Sequence, residues 1–489
     1  MSTFISIVQE GNYVYRDSTI NGYTETGSYF GCINKGEEGK GAYHDLSLVV
    51  FLSNEKTKKE DRCMVALAFG SLGYKNDYDL AALPGTRRIF LNIGNDHFIK
   101  NDFTDIESKY GIKEYCKNKE LPTTLENAYE KYENVILSAG IFDPNDLEES
   151  KKILEKYIAR YSKIREWLSK DQEKKANKII YGEDLKKGNK EASEEELKQV
   201  KKLVEARRYV VLQGAPGTGK TRMAKMVAED GELVFTQFHA ETTYSDFIYG
   251  IRPRVENNLQ ENGADKTSAR GKRIVDNNLE YEGVRGAFVE AIETAENPKN
   301  KNKKVYLIID EINRANLSNV LGPIFYLFEP TMADTTAEVL ICPGLKRKKL
   351  PDNLYVIATM NTADKSLGIV DFALRRRFAW YTMNPHVIKA DRGYTFCADA
   401  FIEMKEIFDK YAADDELNLM PGHAYFVTKE NNDKTSYASN DKISEQMGMR
   451  LEYEVMPLIK EYLADGFIPR AKDVLENYFR KWIKKEMYR

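Results

Sequence analysis

The sequence predicts a mixed α/β protein: a parallel sheet flanked by helices, a helical C-terminal part, and a separate α+β domain at the N-terminus. Three apolar runs, at 209–212, 305–309 and 356–360, each end at glycines or short polar residues, which is typical of buried parallel strands. Between the first and the last run, strand-like and helix-like patterns alternate, as in domains whose helices cover both faces of such a sheet.

Residues 1–165 are predicted to form the α+β domain. Three short runs rich in apolar or β-branched residues favour strands, namely LSLVVFL (46–52), CMVALAF (63–69) and RRIFLNI (87–93). From Asp146 onward, apolar residues recur at helical spacing and predict an amphipathic helix, at Leu147, Leu154, Ile158, Tyr161, Ile164 and Leu168. Five aromatic residues would suit stacking on an extruded base, although a place in the core is the commoner role, namely Tyr13, Tyr15, Tyr23, Tyr29 and Phe30.

The rest of the chain divides into three segments. Residues 166–195 are nearly all polar and are interpreted as a charged linker or a solvated helix. Residues 196–385 contain the alternating pattern of the parallel sheet. Residues 386–489 are mainly helical by pattern, with a Gly-, Asn- and Asp-rich interruption at 429–441.

Composition limits the class of protein. Hydrophobic residues make up 42% and charged residues 30% of the chain, which is typical of a soluble protein. The net charge of −3 argues against an overall basic field for nucleic acid, so any such surface must be local. The 5 cysteines are scattered without a C-x-x-C spacing, which favours reduced thiols over disulfides or zinc. Because neither a signal peptide nor an apolar run of roughly 20 residues is evident, we expect a cytoplasmic protein.

The first apolar run leads into GAPGTGKT, which fits the P-loop pattern G-x-x-x-x-G-K-[ST]. Glycines let the backbone curl so that its N–H groups and the following helix N-terminus face a polyphosphate. Lys220 can reach the β- and γ-phosphates, and Thr221 can place its hydroxyl on Mg²⁺. A plain glycine turn is the alternative, which the flanking strand and helix patterns disfavour. The predicted nucleotide-binding residues are Gly214, Ala215, Pro216, Gly217, Thr218, Gly219, Lys220 and Thr221.

The other two runs deliver polar side chains to the carboxyl ends of their strands, where open α/β sheets bind ligands. Asp310 is expected to hold Mg²⁺, and Glu311 to activate the attacking water as a base. An apolar run ending in Asp-Glu is common by itself, but its position downstream of a P-loop favours this interpretation. Asn361 can donate and accept hydrogen bonds, as sensing a γ-phosphate and orienting a water require. An Asx turn at the strand end is the alternative for Asn361.

These motifs together resemble the McrB family, the AAA+ GTPases of modification-dependent restriction systems. The most specific elements are DEINRAN (310–316), MNTADKS (360–366) and FALRRRF (372–378). Similar segments elsewhere are TQFHAETTYSDFIYGIRP (236–253), GHAYF (422–426) and LEYEVMPLIKEY (451–462), so that the resemblance covers roughly residues 200–465. It implies an AAA+ domain at 196–385 with the third apolar strand between the other two, and a helical lid at 386–489. The family usually has arginine where this chain has Lys365, which lacks the planar guanidinium fork.

The resemblance also implies roles for further residues. Asn361 and Asp364 would form the family signature around the attacking water. Arg376 and Arg377 resemble the arginine fingers of AAA+ rings, which place positive charge where the transferring phosphoryl group spreads its own. Arg314 is a second candidate for reaching an adjoining subunit. A solvated basic patch is the alternative for the arginines.

Two inserts are expected to face the central pore of a ring. One is the polar, glycine-containing stretch 252–283. The other is a predicted hairpin at 342–353 with four consecutive cations, Lys346, Arg347, Lys348 and Lys349. Such a run is usually solvated surface, but six copies around one opening would suit an acidic partner segment or a nucleic-acid backbone.

The resemblance implies a hexameric ring that hydrolyses GTP with Mg²⁺, joins a nuclease subunit of the McrC kind, and restricts modified or foreign DNA. The N-terminal domain would recognise the target, with DNA contacted through it or through the partner. GTP rests on the resemblance alone, since the N-K-x-D element of small GTPases is absent, and ATP stays open. The alternative function is that of a MoxR-like ATPase that remodels protein partners without DNA. The histidines are isolated in the sequence, and no nuclease or protease motif is evident.

Overall fold

The computed structural model describes residues 13–17, 29–34, 45–52, 62–70, 77–86, 88–89, 98–99, 112–117, 119, 121–187, 191–253, 281–329, 338–363, 372–390, 393–429 and 440–487. They belong to two compact units, one within residues 192–385 and the other combining 1–191 with 386–489. The four-part division expected from the sequence is finer than this and stays a prediction. Of the helices described, none has both the length and the apolarity needed to span a bilayer.

The N-terminal part contains an antiparallel six-stranded sheet of order β1-β2-β3-β4-β6-β5. Its strands are β1 (Tyr13–Asp17), β2 (Tyr29–Asn34), β3 (Leu46–Leu52), β4 (Cys63–Phe69), β5 (Phe98–Ile99) and β6 (Ile136–Phe142). The first two predicted strands coincide with β3 and β4. The third, at 87–93, is wrong where it can be checked, because Arg88 and Ile89 lie in a short 3₁₀ turn and the rest of the run lies outside the described residues.

Helices cover both faces of this sheet. They are α1 (Tyr78–Ala81), α2 (Ile112–Lys117), α3 (Thr123–Tyr132) and α4 (Leu147–Ile164), and the next helix, α5 (Lys170–Lys187), packs against α4. Leu48 and Val50 of β3 share a core with Tyr157 of α4, whereas Val49 and Phe51 share a core with α2 and α3. Because successive side chains of a strand point to opposite faces, both cores draw on one apolar run. Phe30 packs against the α4 core, which favours the core role for this aromatic residue.

The start of α4 follows from its sequence. The Asp146 side chain accepts hydrogen bonds from the backbone N–H groups of Glu148 and Glu149, which caps the helix. The predicted helix is confirmed over Leu147–Ile164, but two of the predicted apolar positions lie outside its buried face. Leu147 is exposed, and Leu168 lies beyond the helix end.

The second unit is built on a five-stranded parallel sheet of order β15-β7-β14-β11-β8. These strands are β7 (Tyr209–Gly214), β8 (Glu232–Gln237), β11 (Val305–Asp310), β14 (Leu354–Asn361) and β15 (Ala379–Met383). The strand that ends at Asn361 lies between the other two apolar runs, as predicted. The accompanying helices are α6 (Glu191–Arg207), α7 (Lys220–Val227), α8 (Tyr244–Phe247), α9 (Ala287–Glu296), α10 (Leu317–Leu321) and α11 (Phe372–Arg377).

Two antiparallel ribbons extend from this unit. One joins β9 (Tyr249–Pro253) to β10 (Tyr281–Arg285), and the insert between them lies outside the described residues. The other joins β12 (Val339–Cys342) to β13 (Leu345–Arg347). Arg347 forms an ion pair with Glu296 at 2.5 Å, and Lys349 forms one with Asp352 at 3.1 Å. Two of the four predicted pore cations are therefore neutralised within their own unit.

The C-terminal part is mainly helical, as predicted. Its helices are α12 (Ala398–Tyr411), α13 (Asn440–Arg450), α14 (Met456–Ala464) and α15 (Lys472–Ile483), and β16 (Tyr394–Phe396) pairs with β17 (Val427–Lys429). Most of the predicted interruption, 430–439, lies outside the described residues. The histidines are not all isolated in space, since the rings of His386 and His423 lie 4.9 Å apart.

A buried polar cluster joins the N-terminal helices to α12. Glu406 accepts hydrogen bonds from Lys163 and from the Tyr181 hydroxyl, both at 2.6 Å, and from Arg160 at 3.3 Å. The side chains of Arg160, Lys163 and Glu406 are only 4%, 9% and 20% exposed. Tyr181 lies on α5, so the segment interpreted as a linker contributes a helix to this packing. Burial by itself raises the pKa of Glu406, but the charges of Lys163 and Arg160 outweigh it and hold that pKa below its ordinary value.

A second contact between the two parts of this unit lies at the end of α12. Gly85 donates its N–H to the carbonyl of Lys410 at 3.1 Å. A Cβ at Gly85 would lie 1.7 Å from the carbonyl oxygen of Asp409, so only glycine allows this approach. Arg88 donates to the same Asp409 carbonyl at 3.1 Å and pairs with Asp414. The N-terminal domain and the C-terminal helices are thus held together by specific polar contacts.

We expect Glu406→Ala to lower the free energy of unfolding of this unit by about 3–5 kcal/mol at neutral pH, because two buried cations lose their partner. Since the pKa of Glu406 is lowered by folding, its contribution is present above the ordinary pKa and lost as the pH falls through the lowered value. The difference from wild type therefore shrinks in acid. Denaturant titrations followed by Trp167 and Trp482 fluorescence in a Trp380→Phe background measure it.

The matched control is Glu133→Ala, which removes an exposed ion pair with Lys113 and should cost under about 1 kcal/mol. Equal costs for the two substitutions, or a Glu406 effect that does not depend on pH, would contradict the assignment of Glu406 as the centre of the interface.

Candidate active site

The alternation of side chains along three strands brings the predicted site residues to one face of the parallel sheet. Leu212 of β7, Ile308 of β11 and Ile357 of β14 pack in one core with residues of α6 and α7. Two residues further along their strands, Asp310 and Thr359 follow on the same face. The apolar part of this face anchors α7, and its polar continuation meets the start of α7 at the carboxyl edge of the sheet.

The P-loop leads from β7 into α7 with the backbone that its glycines allow. Gly217 and Gly219 have φ angles of +79° and +80°, in the left-handed region that L-residues rarely adopt. A Cβ at Gly214 would lie 2.4 Å from the Met383 carbonyl oxygen of the neighbouring strand. The Thr218 hydroxyl donates to the Ala215 carbonyl at 2.9 Å and closes the loop. The loop is therefore a preformed concave backbone at a helix N-terminus, the geometry that binds phosphate.

Lys220 begins α7 and turns its side chain into this loop. Its ammonium donates to the carbonyl oxygens of Gly214, at 3.0 Å, and Ala215, at 2.7 Å. Burial lowers the pKa of Lys220 to about 8, while the negative charges of Glu311 and Asp310 act in the opposite direction. The ammonium form thus predominates at neutral pH, and this cation lies beside the loop and two carboxylates.

Asp310 is the centre of the hydrogen bonds at the end of β11. One of its oxygens, Oδ1, accepts from the hydroxyls of Thr221 and Thr359, both at 2.7 Å. A buried carboxylate next to a hydroxyl from the P-loop suits Mg²⁺, which prefers oxygen ligands and commonly takes only one or two from the protein beside phosphate and water. No group of three or more His, Cys, Asp or Glu able to hold a metal occurs among the described residues. Thr221 and Asp310 are the oxygen donors that could hold Mg²⁺ here.

Glu311 has an unusual backbone. Its φ and ψ are +55° and +47°, the left-handed conformation, which costs an L-residue about 1–2 kcal/mol. Its N–H donates to the Thr359 hydroxyl at 3.0 Å, and its carboxylate lies 3.4 Å from Nε of Arg314. Strained backbone of this kind concentrates at functional sites. The conformation turns the chain so that Asp310 and Glu311 can serve different partners.

Asn361 ends β14 next to the P-loop. The following residue, Thr362, donates its N–H to the Gly214 carbonyl at 3.0 Å, which ties the strand end to the loop. The Asn361 side chain accepts from the Ala363 N–H at 3.3 Å, so the Asx turn considered as an alternative is present. This bond uses the side-chain oxygen, and it does not exclude a sensing role. Asp364 and Lys365 lie outside the described residues.

Two residues of this arrangement were missed by the sequence analysis. Thr359 is the shared partner of Asp310 and Glu311. Asn313 donates from its side chain to the Asn361 carbonyl at 3.1 Å, and its own buried side-chain oxygen has no hydrogen-bond partner among the described residues. The sequence offers one signal for each residue. Asn313 lies within DEINRAN, and Thr359 lies two residues before Asn361, on the same face of the strand.

Comparisons with known proteins identify the domain that contains these residues. The AAA domain of the dynein-related subfamily matches residues 209–378. A subunit of the type IV methyl-directed restriction enzyme of Escherichia coli K12, EcoKMcrB, is 34% identical over 200 residues, which is 39% of this chain and 38% of that protein. The central domain is a McrB-type AAA+ domain.

A second relative of this AAA+ domain is the component YdiS of the type II restriction enzyme BsuMI from Bacillus subtilis 168. It is 32% identical over 192 residues, which is 35% of this chain and 55% of that protein. The matches thus span between about a third and just over half of the curated relatives' length. A solved structure from Cytophaga hutchinsonii is 14% identical and covers 44% of this chain and 55% of its own, with a TM-score of 0.24, too low to support an inference.

The arginines of the AAA+ domain differ in how they are placed. Arg377 is 8% exposed and pairs with Glu329 at 2.8 Å, whereas Arg376 is 65% exposed and lies 3.6 Å from the same carboxylate. Arg314 is 45% exposed. Arg377 is thus paired with an acid of its own unit, whereas the side chains of Arg376 and Arg314 are more exposed. The finger role of these three arginines stays a prediction.

The strain at Glu311 gives a prediction that does not depend on activity. We expect Glu311→Gly to be more stable than Glu311→Ala by about 1 kcal/mol, because glycine adopts the left-handed conformation without penalty. At an ordinary position in a helix or strand the order is reversed, and glycine is the less stable by about 0.5–1 kcal/mol. Both variants lose the same carboxylate, so their difference in denaturant titrations isolates the backbone. A less stable glycine variant would show that the position is unstrained.

Proposed function

We propose that this protein is a McrB-type nucleoside triphosphatase that forms a ring and drives a partner nuclease in the restriction of modified or foreign DNA. The observation that carries the catalytic part is the 2.7 Å hydrogen bond between Thr221 of the P-loop and Asp310 at the end of β11, the apolar strand beyond β14. It brings the phosphate-binding loop, the metal-binding carboxylate and the adjacent Glu311 to one edge of the sheet. This is the arrangement that P-loop hydrolases require.

In the proposed mechanism, the backbone of residues 214–221 and the Lys220 ammonium bind the triphosphate. Thr221 and Asp310 would hold Mg²⁺, which would supply positive charge to neutralise the phosphates. Glu311 accepts a proton from the attacking water, and Asn361, with Asp364, orients that water toward the γ-phosphate. The exposed Arg376 or Arg314 supplies positive charge to the site of an adjoining subunit.

GTP is the favoured nucleotide and ATP the alternative. Guanine and adenine differ at the six-position, an acceptor oxygen against a donor amine, so a polar pocket can discriminate strongly between them. The preference for GTP is drawn from the resemblance to the McrB family rather than from any contact to a base.

Restriction is favoured over the MoxR-like alternative because both relatives reported above are components of restriction enzymes. We propose a hexameric ring with an McrC-like nuclease, the N-terminal domain recognising the target, and DNA contacted through that domain or the partner. Co-expression with the product of the neighbouring gene and purification with nucleotide test this. Recovery of a nuclease supports the proposal, and recovery of a metal-insertion or adhesion-domain protein would favour the MoxR-like function.

Hydrolysis measured at equal concentrations should be at least about tenfold faster with GTP than with ATP, because the base-binding site expected from the resemblance to McrB would discriminate the two bases at the six-position. Glu311→Gln is the matched control, since it keeps the size of the side chain and removes the base. It should bind nucleotide and Mg²⁺ as wild type does and turn over more slowly by orders of magnitude.

The comparison of nucleotides and the Glu311→Gln variant each test a different part of the proposal. A wild-type rate in Glu311→Gln would overturn the assignment of the base. Equal rates with the two nucleotides would remove the GTPase assignment and leave the nucleoside triphosphatase in place.

Subunit mixing tests the ring and its finger. Arg376→Ala and Lys220→Ala proteins, each inactive alone, should partly recover hydrolysis when combined, because some interfaces then pair an intact arginine with an intact P-loop. Arg377→Ala is the comparison, since loss of its ion pair with Glu329 should lower stability more than Arg376→Ala does.

Mixed rings must be shown to form, by co-purification of differently tagged subunits. If they form and activity does not recover, the arginine that crosses the interface is not Arg376, and the same mixing with Arg314→Ala decides whether it is Arg314.

A further inference from the structure

We propose that Thr359 is a positioning residue. Its hydroxyl holds the metal-binding carboxylate of Asp310 and the backbone of the catalytic Glu311 in place, and its strand links both to the γ-phosphate sensor, Asn361. The inference rests on the proposed function for its catalytic meaning, but the geometry that carries it does not. Thr359 is 1% exposed and lies on β14, the strand between the P-loop strand and β11.

The direction of the hydrogen bonds around Thr359 is fixed by chemistry. The Glu311 N–H can only donate, so the hydroxyl oxygen of Thr359 accepts from it at 3.0 Å. The single hydroxyl proton is then donated to Oδ1 of Asp310 at 2.7 Å. The result is a chain from Glu311 N–H through the Thr359 hydroxyl to the Asp310 carboxylate, in which each bond polarises the next.

This chain restrains two neighbours in different ways. Asp310 is held by its side chain, whose Oδ1 receives a second hydroxyl bond from Thr221. Glu311 is held by its backbone, and the bond to Thr359 helps to maintain the left-handed conformation at φ +55°. Without an acceptor for its N–H, the strained residue would lose an interaction that offsets its strain. One hydroxyl therefore positions both members of the hydrolytic pair.

The position of Thr359 in its strand adds a connection to the sensor. Asn361 follows two residues later on the same face, and the strand end is tied to Gly214 through Thr362. A displacement of β14 caused by contact between Asn361 and a γ-phosphate would therefore move Thr359 with it. Through Thr359, the shift would reach Asp310 and Glu311.

The test compares three variants of the full chain. Thr359→Val has nearly the shape of threonine without the hydroxyl, and Thr359→Ser restores the hydroxyl without the methyl group. Thr86→Val is the matched control, because the Thr86 hydroxyl is also buried, at 3% exposure, and donates to the Leu80 carbonyl in the N-terminal domain.

Hydrogen exchange at the Glu311 amide, measured without nucleotide, is the first readout. We expect exchange in Thr359→Val to be faster by roughly tenfold, the effect of losing one hydrogen bond, and near the wild-type rate in Thr359→Ser and Thr86→Val. Unchanged exchange in Thr359→Val would overturn the inference, whatever the protein hydrolyses.

The second readout is kinetic. In Thr359→Val we expect kcat to fall by roughly 10- to 100-fold, as with other residues that orient metal ligands, with a higher Mg²⁺ requirement and little change in KM. Thr359→Ser should recover most of kcat, and Thr86→Val should match wild type. A wild-type kcat in Thr359→Val would overturn the positioning role, whereas absence of hydrolysis in wild type itself would overturn the proposed function and leave the exchange result to stand alone.

Discussion

The arrangement of the AAA+ domain depends on a buried carboxylate at the edge of its sheet. Asp310 lies where β11 ends, and it is stabilised by hydroxyls from the P-loop side and from β14. A carboxylate in this place is costly unless it accepts hydrogen bonds or lies near a cation. Both conditions are met, because Lys220 lies close enough for its pKa to respond to Asp310. The strand order serves the same contacts, since β14 lies between β7 and β11 and brings Thr359 to Asp310 while Thr362 contacts Gly214.

Much of this domain could be predicted from the sequence because its motifs consist of residues that are close together in the chain. The P-loop motif predicts its own backbone conformation, and the apolar runs before Asp310 and Asn361 predict where two strands end. Parallel strands then place their carboxyl ends at one edge, so Thr221, Asp310 and Asn361 were predicted without a structure. Thr359 was missed for a physical reason: a β-branched residue in a strand needs no functional explanation, and its partners become visible only when β11 and β14 are paired.

Elsewhere the decisive interactions join residues far apart in the chain, and local patterns do not report them. The segment containing Tyr181 looks like a solvated linker because it is charged, yet it forms part of α5 and contacts Glu406, which follows the whole AAA+ domain in sequence. Likewise, a run of three arginines suggests exposed fingers, and only the position of Glu329 shows that Arg377 is buried beside an acid. A charge in a sequence is solvated or paired according to what the fold brings to it.

Buried charged residues have different roles in the two units. At Glu406, a carboxylate is enclosed by Arg160, Lys163 and a tyrosine hydroxyl, so its charge is fully compensated and the cluster fastens the C-terminal helices to the N-terminal domain. At the edge of the parallel sheet, Asp310 accepts from two hydroxyls, Glu311 pairs with the half-exposed Arg314 at 3.4 Å, and the Lys220 ammonium is directed at backbone carbonyls. That site also includes a strained residue, which costs stability. In the proposed function this site binds a polyphosphate with its cation and moves a proton, tasks that leave charges to be satisfied by the ligand, and strained backbone such as that of Glu311 concentrates at sites of this kind.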